Sequence, residues 1–398
     1  MRSAIKLILI TLVTASGSRL LASDSISLDH RPLVALRGDV VHIKVSGIFQ
    51  ETVDSLTIHI IVGRMIDCGE IKSDYKGIGI PCRTNVVTFE HECKFGGVAP
   101  PGSLMECSYS EDFTTRTEGW DALVSYWASA SRSTGNETSQ DALSSSEVSF
   151  AQGNPDAPQA EPIAWPVWWY RRAPLSDKVD LGFFRDSDYG EGIGYELFRQ
   201  DLEVILEKVL DAAAPFNYPM AIGHNYFNLW MIMRGGELEQ QCKRSFVKSI
   251  DPILAILDGR VIVHQDSTPD CSSIAQSGAG SVRGSAGDAA WILMHEMGHF
   301  LYGQGDEYAC DGSFDTALCE NVFKKRGDCE IQAQPKGALC EALVCNGVEG
   351  AWHVHNEGKI IMRDRGLDSD WSPLNRQCVS LRNAGRFWPG SFFRSLSK

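Results

Sequence analysis

With 398 residues, 43% of them hydrophobic, the chain can bury a full core and hold two or three domains, which excludes a disordered or fibrous protein. Its formal charge of −14, from 37 basic and 51 acidic residues, argues against nucleic acid and anionic membranes as partners and fits solubility outside the cell.

The chain opens with MRSAIKLILITLVTASGSRLLAS. Arg2 and Lys6 precede an apolar run from Leu7 to Ala15 and then small residues, the layout of a secretory signal over residues 1–23, with cleavage near Ala22 or Ser23. That run is too short to anchor a membrane helix, and no later one approaches 18 residues, so an exported product without a membrane span is expected. Losing Arg2, Lys6 and Arg19 takes the charge from −14 to −17.

From residue 24 to 127 the apolar residues keep strand spacing, in DVVHIKVSGIF (Asp39 to Phe49), LTIHIIVG (Leu56 to Gly63) and NVVTFEHEC (Asn85 to Cys93). A small all-β, sandwich-like domain is expected there. Residues 128–159 are rich in Ser, poor in large apolar side chains and carry a glycosylation triplet at Asn136; they read as a linker. WPVWWYRR (Trp165 to Arg172) follows, and its aromatics read as the seam on which the next domain packs rather than as a ligand platform, so linker and seam occupy 128–175.

Residues 176–398 alternate helix and strand. Tyr195, Phe198, Leu202, Ile205 and Val209 share one face of an amphipathic helix that Pro215 should end. FNLWMIM (Phe227 to Met233) and RVIVHQD (Arg260 to Asp266) are short apolar runs suited to a sheet covered by helices. SGAGSVRGSAG (Ser277 to Gly287) is either an open edge strand able to pair with a peptide or a mobile loop, and it leads into DAAWILMHEMGHFLYG (Asp288 to Gly303). An α+β domain follows, with its histidines on the second main helix.

Of the 12 cysteines, Cys68, Cys82, Cys93 and Cys107 precede residue 110, and the other eight, including Cys242 and Cys271 and five from Cys310 to Cys345, follow residue 240. Both counts are even and no C-x-x-C pair occurs, so disulfides within each part are expected rather than zinc knuckles.

The chemistry concentrates in HEMGHFLYGQGDEY, residues 295–308. On a helix that Asp288 caps and Gly303 ends, His295 and His299 stand one turn apart and aim at one ion, while Glu296 lies beside it. This arrangement fits zinc hydrolysis, with Glu296 as the general base for a water that the metal activates. Zinc needs a third protein ligand, and Asp306 is the nearest carboxylate able to swing back; Glu307 is the second candidate, otherwise a supporting acid. A bare H-E-x-x-H arises by chance in only about one or two per cent of chains this long. A plain core helix would not choose two histidines and a glutamate. His353 and His355, two apart in WHVHNE, face one side of a strand and read as exposed histidines rather than a second metal site; His224 and His264 read as structural.

The same fourteen residues resemble the H-E-x-x-H-x-x-x-G-x-x-D-E-Y signature of metzincin-like zinc peptidases, found in the IgA-peptidase family and in the protease domain of calcium-activated chloride channel regulators. The resemblance spans roughly residues 180–380 and extends to the Gly-rich approach to the helix. It implies a metzincin-like mixed sheet with an active-site helix, one catalytic Zn2+ held by His295, His299 and Asp306, and a Met-turn in GKIIMRDRG at Met362, 63 residues after His299. It departs from the best-known metzincin pattern, whose Gly and His positions hold Tyr302 and Gly305 here. The expectation is a secreted zinc endopeptidase acting on a protein or peptide substrate. The alternative is an exported adhesion or binding protein whose zinc domain is degenerate.

Overall fold

The computed structural model describes residues 24–67, 81–95, 102–131, 143–154, 164–170, 178–211, 220, 227–233, 235–239, 243–246, 254, 257–265, 279–302, 304, 322–345 and 348–355. Residues 1–23, where the signal peptide is expected, lie outside them.

The N-terminal part is a β-sandwich. Its strands are β1 (Ser25–Arg31), β2 (Ala35–Leu36), β3 (Val41–Ile48), β4 (Ser55–Asp67), β5 (Pro81–Lys94), β6 (Leu104–Glu111), β7 (Ala122–Ser131), β8 (Leu143–Ser144) and β9 (Val148–Gly153). One sheet has the order β1-β3-β6; the other runs β2-β9-β7-β4-β5, with β8 paired to β7. The strands form because apolar residues alternate: Val41, Ile43 and Val45 are buried in β3 between exposed His42 and Lys44, and Leu56, Ile58, Ile60 and Val62 repeat the pattern in β4. A Cys93–Cys107 disulfide staples β5 to β6, one strand from each sheet.

The sandwich runs on past residue 127, and the Ser-rich stretch is not a linker throughout. β7 continues to Ser131, and β9 returns to pair with it with all six residues buried. Serine composition misled here because its hydroxyls can pair with one another inside a sheet: Ser125 Oγ and Ser149 Oγ meet at 2.6 Å between β7 and β9. Residues 132–142 and 155–159 of the stretch lie outside the described residues.

The second part is built on a five-stranded sheet. β10 (Ala164–Trp168) leads to β11 (Val179–Arg185), helix α1 (Ile193–Leu210) and β12 (Phe227–Ile232). A hairpin of β13 (Gly236–Glu239) and β14 (Lys243–Phe246) precedes β15 (Gly259–His264), β16 (Ala279–Arg283) and helix α2 (Ala289–Phe300). Strand order is β10-β12-β11-β15-β16; β10 is antiparallel and the other four are parallel. β12 and β15 are the two apolar runs read as sheet interior, and every residue of β12 is buried. Within the Gly-rich segment, Ala279–Arg283 form a strand, β16, at the end of the sheet.

Of the expected face of α1, Phe198, Leu202, Ile205 and Val209 are buried, joined by Leu206, while Tyr195 is half-buried against the core; the helix stops at Leu210, short of Pro215. It packs against α2 and β15, while α2 lies on β16. The chain then forms β17 (Val322–Phe323), α3 (Arg326–Ala333), β18 (Leu339–Cys345) and β19 (Val348–His355), a small antiparallel sheet of order β17-β19-β18 stapled by Cys329–Cys340. The described residues are mostly strand with few helices, an α+β arrangement only in the loose sense. Among the described residues no helix is long and apolar enough to cross a membrane.

The aromatic segment is a packing seam, as expected. Trp165, Trp168, Trp169 and Tyr170 are buried, Trp169 packs on Trp230 of β12, and Trp168 stacks on His30 of the sandwich at 5.3 Å. One continuous core therefore runs from Leu28 to Tyr302. A polar clamp adds to it: Glu203 of α1 accepts the backbone N–H groups of Leu33 and Val34 at 2.8 and 2.7 Å, and Arg199 donates to Val34 O at 3.3 Å. Burial raises the Glu203 carboxyl pKa, and the two N–H donors oppose that shift. Glu203→Ala strands two donors next to fully covered side chains and should cost about 1–3 kcal/mol in denaturant unfolding of the full chain. An unchanged midpoint would show that the clamp contributes nothing.

Candidate metal centre

Helix α2 carries the motif. Its run is free of proline, and all twelve residues are buried, which suits an apolar helix laid on a sheet. Asp288 occupies the N-cap position, but its side chain makes no capping bond to the helix. The expectation that it caps through its carboxylate is corrected.

On this helix His295, Glu296 and His299 are 4%, 6% and 6% exposed, a heavy polar load for buried positions. The two imidazoles converge, with Nε2 atoms 3.3 Å apart and rings perpendicular at a centroid distance of 4.8 Å. Each outer nitrogen or ring face is anchored. His299 Nδ1 donates to the Gln304 carbonyl at 2.8 Å, so in the neutral ring its Nε2 presents a lone pair toward His295. Trp291, one turn earlier, lies flat on His295 with centroids 5.0 Å apart at 19°.

The chain closure after α2 supplies that anchor. Tyr302 N donates to Met297 O at 3.1 Å and Gln304 N to Gly298 O at 2.8 Å, which satisfies carbonyls at the helix end. The same turn brings the Gln304 carbonyl back to the imidazole. No sequence signal marks Gln304, because its backbone does the work. Trp291 was legible in principle, as an aromatic four residues before a histidine on a helix.

The spacing of the two described donors is compatible with one shared zinc ion. Two nitrogens each about 2.05 Å from a tetrahedral ion lie about 3.3 Å apart, the separation of these two Nε2 atoms. The same distance lies just beyond the usual range for a hydrogen bond between the rings. Asp306, Glu307, Met362 and Gly303 lie outside the described residues.

A second grouping, His91, Cys93 and Cys107, brings ligand atoms within 4.8 Å of one another. The two sulfurs are joined in a disulfide, however, which leaves no thiolate and only one imidazole donor. Cys82 is disulfide-bonded as well. The pairs Cys93–Cys107 and Cys329–Cys340 each fall within one of the two cysteine groups, as the even counts suggested.

His353 is buried at 1% rather than exposed, because β19 is the middle strand of its sheet; its Nε2 lies 3.5 Å from Glu341 Oε2 of neighbouring β18. The side chain of His355, and His224, lie outside the described residues. His264 is buried at the end of β15, consistent with a structural role.

No family model matches the chain, and no curated protein matches it. Among solved structures, similarity is found to the sporulation control protein Spo0M from Bacillus subtilis, at 9% identity and a TM-score of 0.23, over 34% of this chain and 51% of that one. It is also found to trypsin-activated alpha-2-macroglobulin from Escherichia coli, at 14% identity and a TM-score of 0.23, over 36% of this chain and 9% of that one. The chain thus spans about half the length of the first and under a tenth of the second. Likeness this slight carries no argument, so any functional reading rests on the residues of α2.

Proposed function

We propose that this protein is an exported zinc-dependent endopeptidase with a metzincin-like catalytic domain. The observation that carries the reading is the 3.3 Å spacing of two buried imidazole nitrogens on one helix, with His299 oriented by the Gln304 carbonyl. His295 and His299 would hold the ion, and the motif resemblance adds Asp306 as third ligand, with Glu307 as second candidate and Met362 as the floor beneath. When bound, zinc supplies a water of lowered pKa and polarises the scissile carbonyl. Glu296 accepts the proton of the water that adds to the carbonyl carbon. It then delivers that proton to the amine nitrogen as the C–N bond breaks. The disulfides fit the oxidising compartment that export implies.

A binding protein with a degenerate zinc site has no use for Glu296, whose buried carboxylate is costly to keep. The test is metal analysis of the purified protein, with cleavage of a peptide library before and after chelation. One zinc per chain and loss of cleavage on chelation are expected. Absence of zinc, or cleavage unchanged by its removal, overturns the reading.

A further inference from the structure

Resting on that reading, we propose that Gly259 and Gly280 are positioning residues that set the height of the motif helix over the sheet. The two glycines stand on adjacent strands, β15 and β16, and one aromatic ring straddles them. That ring belongs to Phe300, the residue after His299. A Cβ at Gly280 would lie 2.8 Å from Phe300 Cε1 and 3.0 Å from Cδ1; one at Gly259 would lie 2.7 Å from Leu181 Cδ1 and 2.8 Å from Phe300 Cε2 on the other edge. The ring is therefore pinned along both edges, and rotating away from one glycine drives it into the other strand. The same missing Cβ of Gly280 lies 3.5 Å from Glu296 Cβ, so the general base rests on the notch too.

Ordinary contact begins near 3.4 Å, so an added methyl at Gly280 asks Phe300 for a shift of about 3.4 − 2.8 = 0.6 Å. Phe300 is buried at 6% and cannot swing to solvent. The helix must lift, and it carries His295, Glu296 and His299 with it relative to everything else that lines the site. Displacements near 1 Å cost up to about 100-fold in catalysis, and disturbed support of metal ligands costs about 10- to 100-fold in affinity.

The test uses the full-length protein with Gly280→Ala, Phe300→Leu and the double variant, read by zinc affinity in competition with a chromophoric chelator and by kcat. Gly280→Ala should bind zinc about 10-fold more weakly and lose about 10-fold or more in kcat. In the double variant the smaller side chain frees the notch, and both values should return to those of Phe300→Leu alone. A role in stability only would lower the melting temperature and leave the affinity of the folded protein unchanged. If Gly280→Ala keeps full affinity and kcat, or if the folded double variant stays impaired relative to Phe300→Leu, the assignment is wrong. Should Gly280→Ala not fold, the comparison of the double variant with Phe300→Leu still decides. A wild-type protein that binds no zinc refutes the function itself, which the variants do not touch.

Discussion

Glu296→Gln should keep one zinc per chain and lose peptide hydrolysis by about 10²- to 10⁴-fold in kcat, the span that a positioned acid–base group contributes. The amide matches the carboxylate in size, so the packing against the Gly280 notch is retained and a fall in rate cannot be laid to a cavity. What the amide lacks is a lone pair basic enough to take a proton. The companion variant His299→Ala should behave differently: it removes one of two converging donors and the Gln304-anchored ring, so zinc and activity disappear together. The two variants separate ligand from base. Wild-type rates in Glu296→Gln would sink the mechanism, and loss of zinc from that variant would make Glu296 a ligand instead.

Much of the motif-bearing part was legible because its periodicity is strong. The apolar face of α1 and the one-turn spacing of His295 and His299 follow from 3.6 residues per turn, and burial of Phe198, Leu202 and Ile205 agrees with it. Edges were harder. Whether Ala279 to Arg283 forms a strand depends on β15 pairing with it in parallel, a contact far away in sequence that local composition does not encode. Ser149 of β9 was read as part of a linker because a serine hydroxyl paired across a sheet and one facing water are the same letter. His353 was misread for a related reason: alternation assigns it a face, but only the strand order makes β19 central and covers it. The anchor on His299 comes from a backbone carbonyl, which any residue at position 304 would carry.

His30 is the clearest case of chemistry hidden from sequence, and it leads to a second large expected effect, on acid stability. Its ring is fully buried at the junction of the two parts, stacked between Phe150 at 4.3 Å and Trp168 at 5.3 Å, with Nδ1 3.0 Å from the Tyr126 hydroxyl. Burial, reinforced by the positive charge of Arg31, lowers its pKa to about 3. In the unfolded chain a histidine titrates near 6.5. Between roughly pH 6.5 and 3 the unfolded state therefore binds a proton that the folded state refuses, so stability falls on acidification across that window and is fully retained above it. Each pH unit inside the window costs up to about 1.4 kcal/mol, or about 3 kcal/mol by pH 4, against a typical total of about 5–15 kcal/mol. Denaturant unfolding at pH 7, 5.5 and 4 measures this directly. The control is His30→Phe combined with Tyr126→Phe, which keeps the aromatic stack and removes both side chains of the His30–Tyr126 hydrogen bond. Carboxylates contribute to the pH slope in both proteins, so the difference between the slopes isolates the histidine. The double variant should lose less stability than the wild type between pH 6.5 and 4. Parallel slopes would mean that His30 takes up its proton without opening the junction between the sandwich and the seam that leads to the motif-bearing sheet.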